Sequence, residues 1–319
     1  MRARILGTGS YLPEHIITND DMAKLVDTND EWIRERTGIR ERHLTDQGTV
    51  SMAYEAAKRA LENCRLRAKD MDMILVATVS PDYLFPSTAC QLQERLGAEQ
   101  IPCMDLSAAC SGFLFAVNTA AAYIQAGLYR RILVVGSETL SRFVDWRDRS
   151  TCILFGDGAG AVVMEASEEG ILAMDMGCDG SRGMVLFCEG YPIQSPVASG
   201  ESDGGKLHMD GQAVFKFAIR QIPKTIQNVL AKGKIEIEEI DHFVMHQANR
   251  RILMAAARTL KIPEEKIPMN IDRCGNLAAA SIPILLDECN RSGRLKRGDK
   301  MILSGFGGGL SWGSALLTW

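Results

Sequence analysis

The chain reads as an α/β protein, and three observations carry that reading. Strand-like apolar runs alternate with helix-period segments for most of the length, the pattern of sheets covered by helices. The 319 residues suffice for two domains, or for one large unit with a well-buried interior. Apolar residues make up 46% and charged residues 24%, the balance of an ordinary globular protein.

The elements follow in order. Ala3–Gly7 opens as a strand, and Thr28-x-x-Glu31 has the form of a capping box for a helix running through Arg36. Val50–Leu61 is amphipathic, and Met73–Val79 is an apolar run of strand length. Ser87 caps a helix that stops at Gly97, and Arg131–Gly136 is another buried strand. Gly211–Ala231 is a long helix with Pro223 inside it, where a bend is expected. Cys178–Lys206 is rich in Gly, Ser and Pro and lacks periodicity; a loop that long in a compact protein is functional or mobile.

Composition excludes several classes. The net charge of −4 gives no basic field for nucleic acid. The basic N-terminus lacks the apolar stretch of about 7–15 residues that a secretory signal needs. No uninterrupted apolar run reaches the ~18–20 residues that span a bilayer, so no membrane role is expected. Nine cysteines at scattered spacing, without a Cys-x-x-Cys pair, argue against a metal site and fit a reducing cytoplasm.

Cys110 stands apart from the other thiols. It lies between an apolar strand-like run and a helix-like run, Cys110–Ala126, that contains no Asp, Glu, Lys or Arg. A thiol at the first turn of a buried helix faces aligned N–H groups, which favour thiolate and make Cys110 a candidate nucleophile. Such a role needs a base and an orienting partner.

A faint internal repeat suggests where the partners lie. Ile101-Pro102 followed by the approach to Cys110 echoes Ile267-Pro268 followed by the approach to Asn276, at an offset of 166. Met73–Val79 is echoed by His242–His246, and Arg131–Gly136 by Lys300–Gly305, at offsets of about 169. Duplication of this kind describes two similar α/β halves, with Cys110 and Asn276 at equivalent positions near a pseudo-twofold axis. His246 closes an apolar strand just before a helix, where open α/β sheets place catalytic groups. Asn276 follows Gly275, which can take a turn conformation closed to other residues. Gly307-Gly308-Gly309 lets backbone approach a ligand closely, although no P-loop or dinucleotide fingerprint is present.

Taken together, Ala109-Cys110-Ser111-Gly112, His246-Gln247-Ala248-Asn249, Gly275-Asn276 and Gly305-Phe306-Gly307-Gly308-Gly309 occur in an order that resembles one family. With Asp30–Ile39 and Phe155–Gly160 they look like bacterial β-ketoacyl-acyl-carrier-protein synthase III, over essentially the whole chain. One departure is visible: the family usually has Thr-Ser after the asparagine, where this chain has Leu277-Ala278.

The resemblance implies a thiolase-like fold of two pseudo-symmetric halves, 1–170 carrying the Cys and 171–319 carrying the His and Asn, packed as a five-layered α-β-α-β-α core. It implies an initiating acyltransferase of fatty-acid synthesis. Cys110 would take an acyl group from acyl-CoA, and His246 and Asn276 would then support decarboxylative condensation with malonyl-acyl-carrier protein. The N–H groups of Cys110 and Gly308 would form the oxyanion hole. Trp32, Arg36, Arg149 and Gly211 would hold CoA, with Trp32 and Arg149 sandwiching the adenine. Phe85 and Phe306 would bound the acyl pocket, Phe85 being offered by a partner subunit in a homodimer. Lys216, Arg250, Arg251, Arg258 and Lys261 would form a basic face for an acidic carrier protein. No cofactor is implied beyond these substrates, and the location would be cytoplasmic. An alternative keeps the fold and changes the acceptor, as in a synthase III-like acyltransferase of secondary metabolism. Papain-like proteases share the chain order Cys, His, Asn, but they carry a Trp after the Cys and nearby disulfides, and neither pattern occurs here. A silent partner subunit would typically have lost the Cys or the His, and this chain keeps Cys110, His246 and Asn276.

Overall fold

Two sheets organise the computed structural model, which describes residues 1–201 and 204–319. The first contains β1 (Arg2–Tyr11), β2 (Met73–Ala77), β3 (Cys103–Leu106), β4 (Arg131–Thr139) and β5 (Asp157–Ser167), in the order β1-β5-β4-β2-β3. The second contains β6 (Ile171–Cys178), β7 (His242–Met245), β8 (Lys300–Gly307) and β9 (Ser311–Thr318), in the order β7-β8-β9-β6. The longer helices are α1 (Asp30–Thr37), α2 (Thr49–Asn63), α3 (Thr88–Leu96), α4 (Gly112–Gln125), α5 (Gly211–Gly233), α6 (Arg250–Leu260) and α7 (Ser281–Arg291).

The alternation of side chains along each strand builds the layers. Leu75, Ile132 and Val134 face one way from the first sheet and join Val244, Met301 and Leu303 of the second around α4 and α7. Ile74, Leu133 and Val135 face the other way, onto α2 and α3. Phe243 and Ile302 do the same on the second sheet, onto α5 and α6. The result is the five-layered α-β-α-β-α core that the resemblance implied, with both faces of each sheet covered. That is why the strands read as continuous apolar runs rather than as alternating ones. The central helix α4 buries Phe113, Leu114, Val117, Ala121 and Ile124 between the sheets, and its exposed positions Asn118, Ala122 and Gln125 are uncharged. Among the described residues no helix is long and apolar enough to cross a membrane.

The repeat is present in the topology. β2 runs parallel to β4, which pairs antiparallel with β5, which pairs antiparallel with β1. β7, β8, β9 and β6 repeat that sequence of pairings, and β3 is an additional edge strand of the first sheet. The equivalence of Cys110 with Asn276 does not survive. The 3₁₀ turn Ala109–Ser111 before α4 matches the turn Ala278–Ala280 before α7, and Ala109 and Ala278 share the unusual positive φ of 44° and 41°. The offset is therefore 169, as for the strands; Cys110 corresponds to Ala279, and Asn276 to Ser107. The two Ile-Pro dipeptides misalign the halves because a short helix, Ile271–Cys274, replaces β3 between them.

Two local expectations shift as well. α1 is capped by Asn29, whose side chain accepts from the Trp32 N–H at 2.8 Å, rather than by Thr28. α5, expected to end at Ala231, runs to Gly233 with Pro223 inside it. Ser87 and Gly97 cap α3 as expected, the latter with φ of 62°.

Gly136, in the middle of β4, is where the central layer presses hardest on a sheet. A Cβ there would collide with the carbonyl group of Ala279 at the foot of α7. Gly136→Ala should cost about 1–3 kcal/mol of stability through overpacking, read as a lower urea midpoint. Gly180→Ala, with no heavy atom within 4 Å of the new methyl, is the control and should leave the midpoint alone. Equal midpoints for the two variants would contradict this packing.

Candidate active site

Cys110 sits in the turn that leads from β3 into α4, with only 8% of its surface exposed. Gly307 is pressed against it: a Cβ at that position would lie 2.7 Å from the Cys110 backbone nitrogen. The expectation of a favoured thiolate is reversed in this environment. Burial pushes the thiol up to about 12, the nearby Glu138 carboxylate adds to the rise, and the backbone N–H at the helix start opposes it only in part. In a dry site desolvation outweighs the helix terminus, so Cys110 rests as a thiol.

His246 follows the last residue of β7, and its backbone N–H donates to the Ser304 carbonyl at 2.8 Å. The corner is held further by Gln247, whose N–H donates to Ser281 Oγ and whose side-chain amide donates to the Met245 carbonyl, both at 2.8 Å. The imidazole is buried and stands edge-on to Phe306, with ring centroids 5.5 Å apart. Neither ring nitrogen has a protein partner. Burial draws the ring down to about 3, so it is neutral, with one N–H to give and one lone pair to accept.

Asn276 is placed by its backbone. Gly275 adopts φ of 66°, where a Cβ would stand 2.8 Å from the Leu154 carbonyl oxygen. Asn276 N–H donates to that oxygen at 2.8 Å, and its own carbonyl accepts from Gly156 at 3.1 Å. Arg42 supports the same segment: fully buried, it donates to the Ile153 carbonyl at 2.8 Å and to Asn19 Oδ1 at 2.9 Å. The side-chain oxygen of Asn276 accepts from Ala278 N–H at 3.0 Å, which leaves the amide NH₂ as a donor. With Leu277-Ala278 after the asparagine, the orientation of the amide is held by this backbone N–H.

Cys110, His246, Asn276, Phe306 and Gly308 line one cavity of about 1620 Å³. Trp32, Arg36, Gly211, Lys216 and Arg251 line it too. The aperiodic segment contributes Leu186, Phe187 and Tyr191, while its residues 202 and 203 lie outside the described residues. The remaining candidates stand elsewhere. Arg149 does not line the cavity; its guanidinium lies 4.8 Å from the centroid of the Trp32 ring, as does that of Arg36, and it donates to the Asp27 carbonyl at 2.8 Å. That spacing leaves no room for a purine between Trp32 and Arg149, so the expected slot is closed in this form. Phe85 is 84% exposed and does not reach the cavity within one subunit. Arg250 borders a separate hollow and faces Glu264 at 3.8 Å. Arg258 and Lys261 lie further along α6 and, like Arg250, do not line the cavity, whereas Lys216 and Arg251 do. Among the described residues no cluster of His, Cys, Asp or Glu could hold a metal ion.

The residue that sequence reading passes over is Glu138, fully buried beside Cys110. Its one signal is an acidic residue near the end of the apolar strand β4.

The family description "3-Oxoacyl-[acyl-carrier-protein (ACP)] synthase III" matches residues 104–180, and its C-terminal counterpart matches residues 230–319. The chain is similar to the β-ketoacyl-[acyl-carrier-protein] synthase III of Desulfitobacterium hafniense (strain Y51), with 49% identity over 322 residues, 99% of this chain and 97% of the relative. The solved 3-oxoacyl-[acyl-carrier-protein] synthase III from Aquifex aeolicus VF5 matches with a TM-score of 0.93 and 44% identity, covering 99% of this chain and all of that one. A priming β-ketosynthase of the R1128 polyketide pathway matches with a TM-score of 0.92 at 33% identity, over 99% of this chain and 96% of that one.

The depressed His246 has a testable sign. An unfolded histidine takes its proton near pH 6.5, whereas the folded ring resists until about pH 3. Between those values the unfolded chain binds a proton that the folded chain does not, so stability falls as pH drops through the window. Histidine ¹⁵N spectra should show His246 as a neutral imidazole from pH 5 to pH 8; a midpoint near 6.5 would refute the burial argument.

Proposed function

The chain belongs to the 3-oxoacyl-[acyl-carrier-protein] synthase III family, a family of condensing acyltransferases in fatty-acid synthesis, and from that premise we propose how its residues divide the reaction. The observation that carries the division is the convergence, on one cavity, of a buried thiol, an imidazole with unpartnered nitrogens and an amide NH₂ whose oxygen is already bonded.

In the first half-reaction the Cys110 sulfur attacks the thioester carbonyl of an acyl-CoA. The oxyanion that forms is held by the N–H groups of Cys110 and Gly308. The carbon–sulfur bond to CoA then breaks, the thiol's proton ends on the departing CoA sulfur, and an acyl-Cys110 thioester remains. In the second, malonyl-acyl-carrier protein loses CO₂, and the electron pair of the broken carbon–carbon bond moves into an enolate. A His246 N–H and the Asn276 NH₂ donate to the enolate oxygen. The carbanion carbon attacks the acyl-Cys110 carbonyl, giving β-ketoacyl-carrier protein, and expels the cysteine as a thiolate, which takes a proton from solvent to restore the thiol. Donors fixed in advance in a dry site are worth far more than the same groups in water, typically about 10²–10³ in rate for one donor.

Trp32, Arg36 and Gly211 flank the path that CoA would take, and Lys216 and Arg251 give its mouth a positive edge suited to an acidic carrier protein. Tyr83, Leu84 and Phe85 form an exposed apolar tip that suits burial against a second subunit, with Phe85 completing the partner's acyl pocket. Scattered thiols with no disulfide among the described residues suit the cytoplasm. Identity of 49% to a fatty-acid enzyme against 33% to a polyketide-priming one favours the starting step of fatty-acid synthesis over the secondary-metabolic alternative. Acetyl, propionyl and branched primers differ by one or two methylenes, worth only about 1–3 kcal/mol in a hydrophobic pocket.

Incubation with acetyl-CoA and short branched acyl-CoAs should add one acyl group to the peptide bearing Cys110, discharged as a β-ketoacyl product when malonyl-carrier protein is supplied. Absence of any adduct on Cys110 would sink the assignment. Asn276→Ala should leave adduct formation nearly intact and slow malonyl decarboxylation by about 10²–10³. Equal loss of both steps would refute the division of labour.

A further inference from the structure

His246 and Asn276 reach the cavity from two separate segments, and one buried residue is bonded to both. Gln247 follows His246 directly. Its neighbours His246, Ala248 and Asn249 line the cavity, whereas Gln247 does not and is only 1% exposed, so its amide is out of reach of a substrate. It is bonded to protein instead. Its backbone N–H donates to Ser281 Oγ and its side-chain NH₂ to the Met245 carbonyl, both at 2.8 Å. Its side-chain oxygen accepts from the Asn270 N–H at 3.3 Å.

Asn270 and Ser281 stand at the two ends of the segment that carries Asn276. From Asn270 the short helix Ile271–Cys274 leads to Gly275, and the Asn270 carbonyl starts that helix by accepting from Arg273 at 3.1 Å and from Cys274 at 3.0 Å. Into Ser281 runs the turn Ala278–Ala280, whose first N–H fixes Asn276 Oδ1 at 3.0 Å. Gln247 therefore grips the asparagine's segment before and after Asn276, while its remaining bond goes to the residue that precedes His246. None of these bonds goes to the Ala109–Ser111 turn, where Cys110 is backed by Gly307 and the Ser111 N–H donates to the Ala108 carbonyl at 3.1 Å. A desolvated amide is unfavourable in a core unless its polar atoms find partners, and here the partners are the two segments that hold the donors.

We propose that Gln247 is a positioning residue that sets the spacing between His246 and Asn276. Its three bonds fasten the strand end carrying the imidazole to both ends of the segment carrying the asparagine, so that the two donors converge on one enolate oxygen. The inference rests on the reading of His246 and Asn276 as enolate donors. A glutamine that merely fills space, with Asn276 held by Leu154 and Gly156 alone, would instead affect both half-reactions or neither.

The two half-reactions, measured separately, distinguish these possibilities. Gln247→Met keeps the bulk of the side chain and removes both of its bonds; Ser281→Ala removes the third bond and serves if the methionine variant folds poorly. In either variant, adduct formation on Cys110 should stay within about threefold of the parent, while kcat for malonyl-carrier-protein decarboxylation should fall at least about tenfold with KM little changed. Gln247→Glu tests rescue: a protonated carboxyl can donate to the Met245 carbonyl and accept from Asn270 as the amide does. At about pH 6, where burial keeps such a carboxyl protonated, it should decarboxylate at least about threefold faster than Gln247→Met. Once His246 or Asn276 is alanine there is no spacing left to set, so adding Gln247→Met should slow decarboxylation by less than about threefold. Losses that multiply overturn the proposal, as do equal losses in both half-reactions, a Gln247→Met enzyme that decarboxylates at the parental rate, or a glutamate variant no better than the methionine one. If His246→Ala and Asn276→Ala themselves decarboxylate normally, the reading of the two donors falls, and this inference with it.

Discussion

Desolvation of the layer between the two sheets is the constraint on which the rest of the molecule depends. Where α4 and α7 are enclosed by both sheets, every polar group on the enclosed faces must be bonded, neutral or reserved for a ligand. Asp287 shows the bonded solution. Fully buried on α7, it accepts from Thr8 Oγ1 at 2.7 Å and Ser10 Oγ at 2.5 Å and faces Arg291 at 3.0 Å. Cys110 and His246 show the neutral solution, the thiol held high and the imidazole held low by the same burial. Asn276 shows the third, with its oxygen bonded and its NH₂ left for the cavity. The site is thus a region of the core whose hydrogen bonds are deliberately incomplete. Its reactivity and its cost in stability have one origin.

The pseudo-twofold explains where that incompleteness falls. Two equivalent turns approach each other across the central layer, each lying against the strand of the opposite half. Symmetry alone would give two identical sites or none. The difference comes from a few side chains: a thiol at 110 against a methyl group at 279, and no side chain at 307 against a carboxylate at 138. A short helix in place of β3 then brings Asn276 to the first half's segment 154–156, where it pairs with Phe155. A duplicated scaffold therefore supplies position, and its departures from symmetry supply chemistry.

Much of this was legible in the chain. The strands at Ala3, Met73, Arg131, His242 and Lys300 and both ends of α3 could be read because apolar runs, Ser87 and Gly97 act through local geometry, whereas Asp157–Ser167, Ile171–Cys178 and Ser311–Thr318 were not singled out. Cys110, His246 and Asn276 stood out because each occupies an element boundary with few charges nearby. What escaped depends on contacts between distant segments. The direction of the thiol's shift could not be read from a helix start, because it is decided by enclosure and by Glu138. Glu138 and Arg42 look like ordinary charged residues near strand ends, and only the folded chain reveals that both are enclosed and bonded. The basic residues of α6 share a helical spacing, yet about 1.5 Å of rise per residue carries Arg258 about two turns and Lys261 nearly three turns away from Arg251. Asn29 and Thr28 are both competent caps, and the choice between adjacent candidates is made by where the first turn begins.

The closed state of the Trp32 stack separates recognition from chemistry on the same physical ground. Arg36 and Arg149 are exposed, and moving Arg149 off the indole sacrifices one cation–π contact and one bond to a backbone carbonyl in contact with water. An adenine inserted there would regain stacking on both sides, so the exchange is nearly balanced and the mouth can reorganise with the ligand. No such exchange is available inside. There the backbone N–H groups of His246 and Asn276 are bonded to Ser304 and Leu154, and turning the asparagine amide would break its bond from Ala278 N–H. Adaptability is therefore confined to the rim and rigidity to the floor. The two substrates we propose, which share a pantetheine arm but differ in the body that carries it, would meet an adjustable entrance and then a single fixed set of donors.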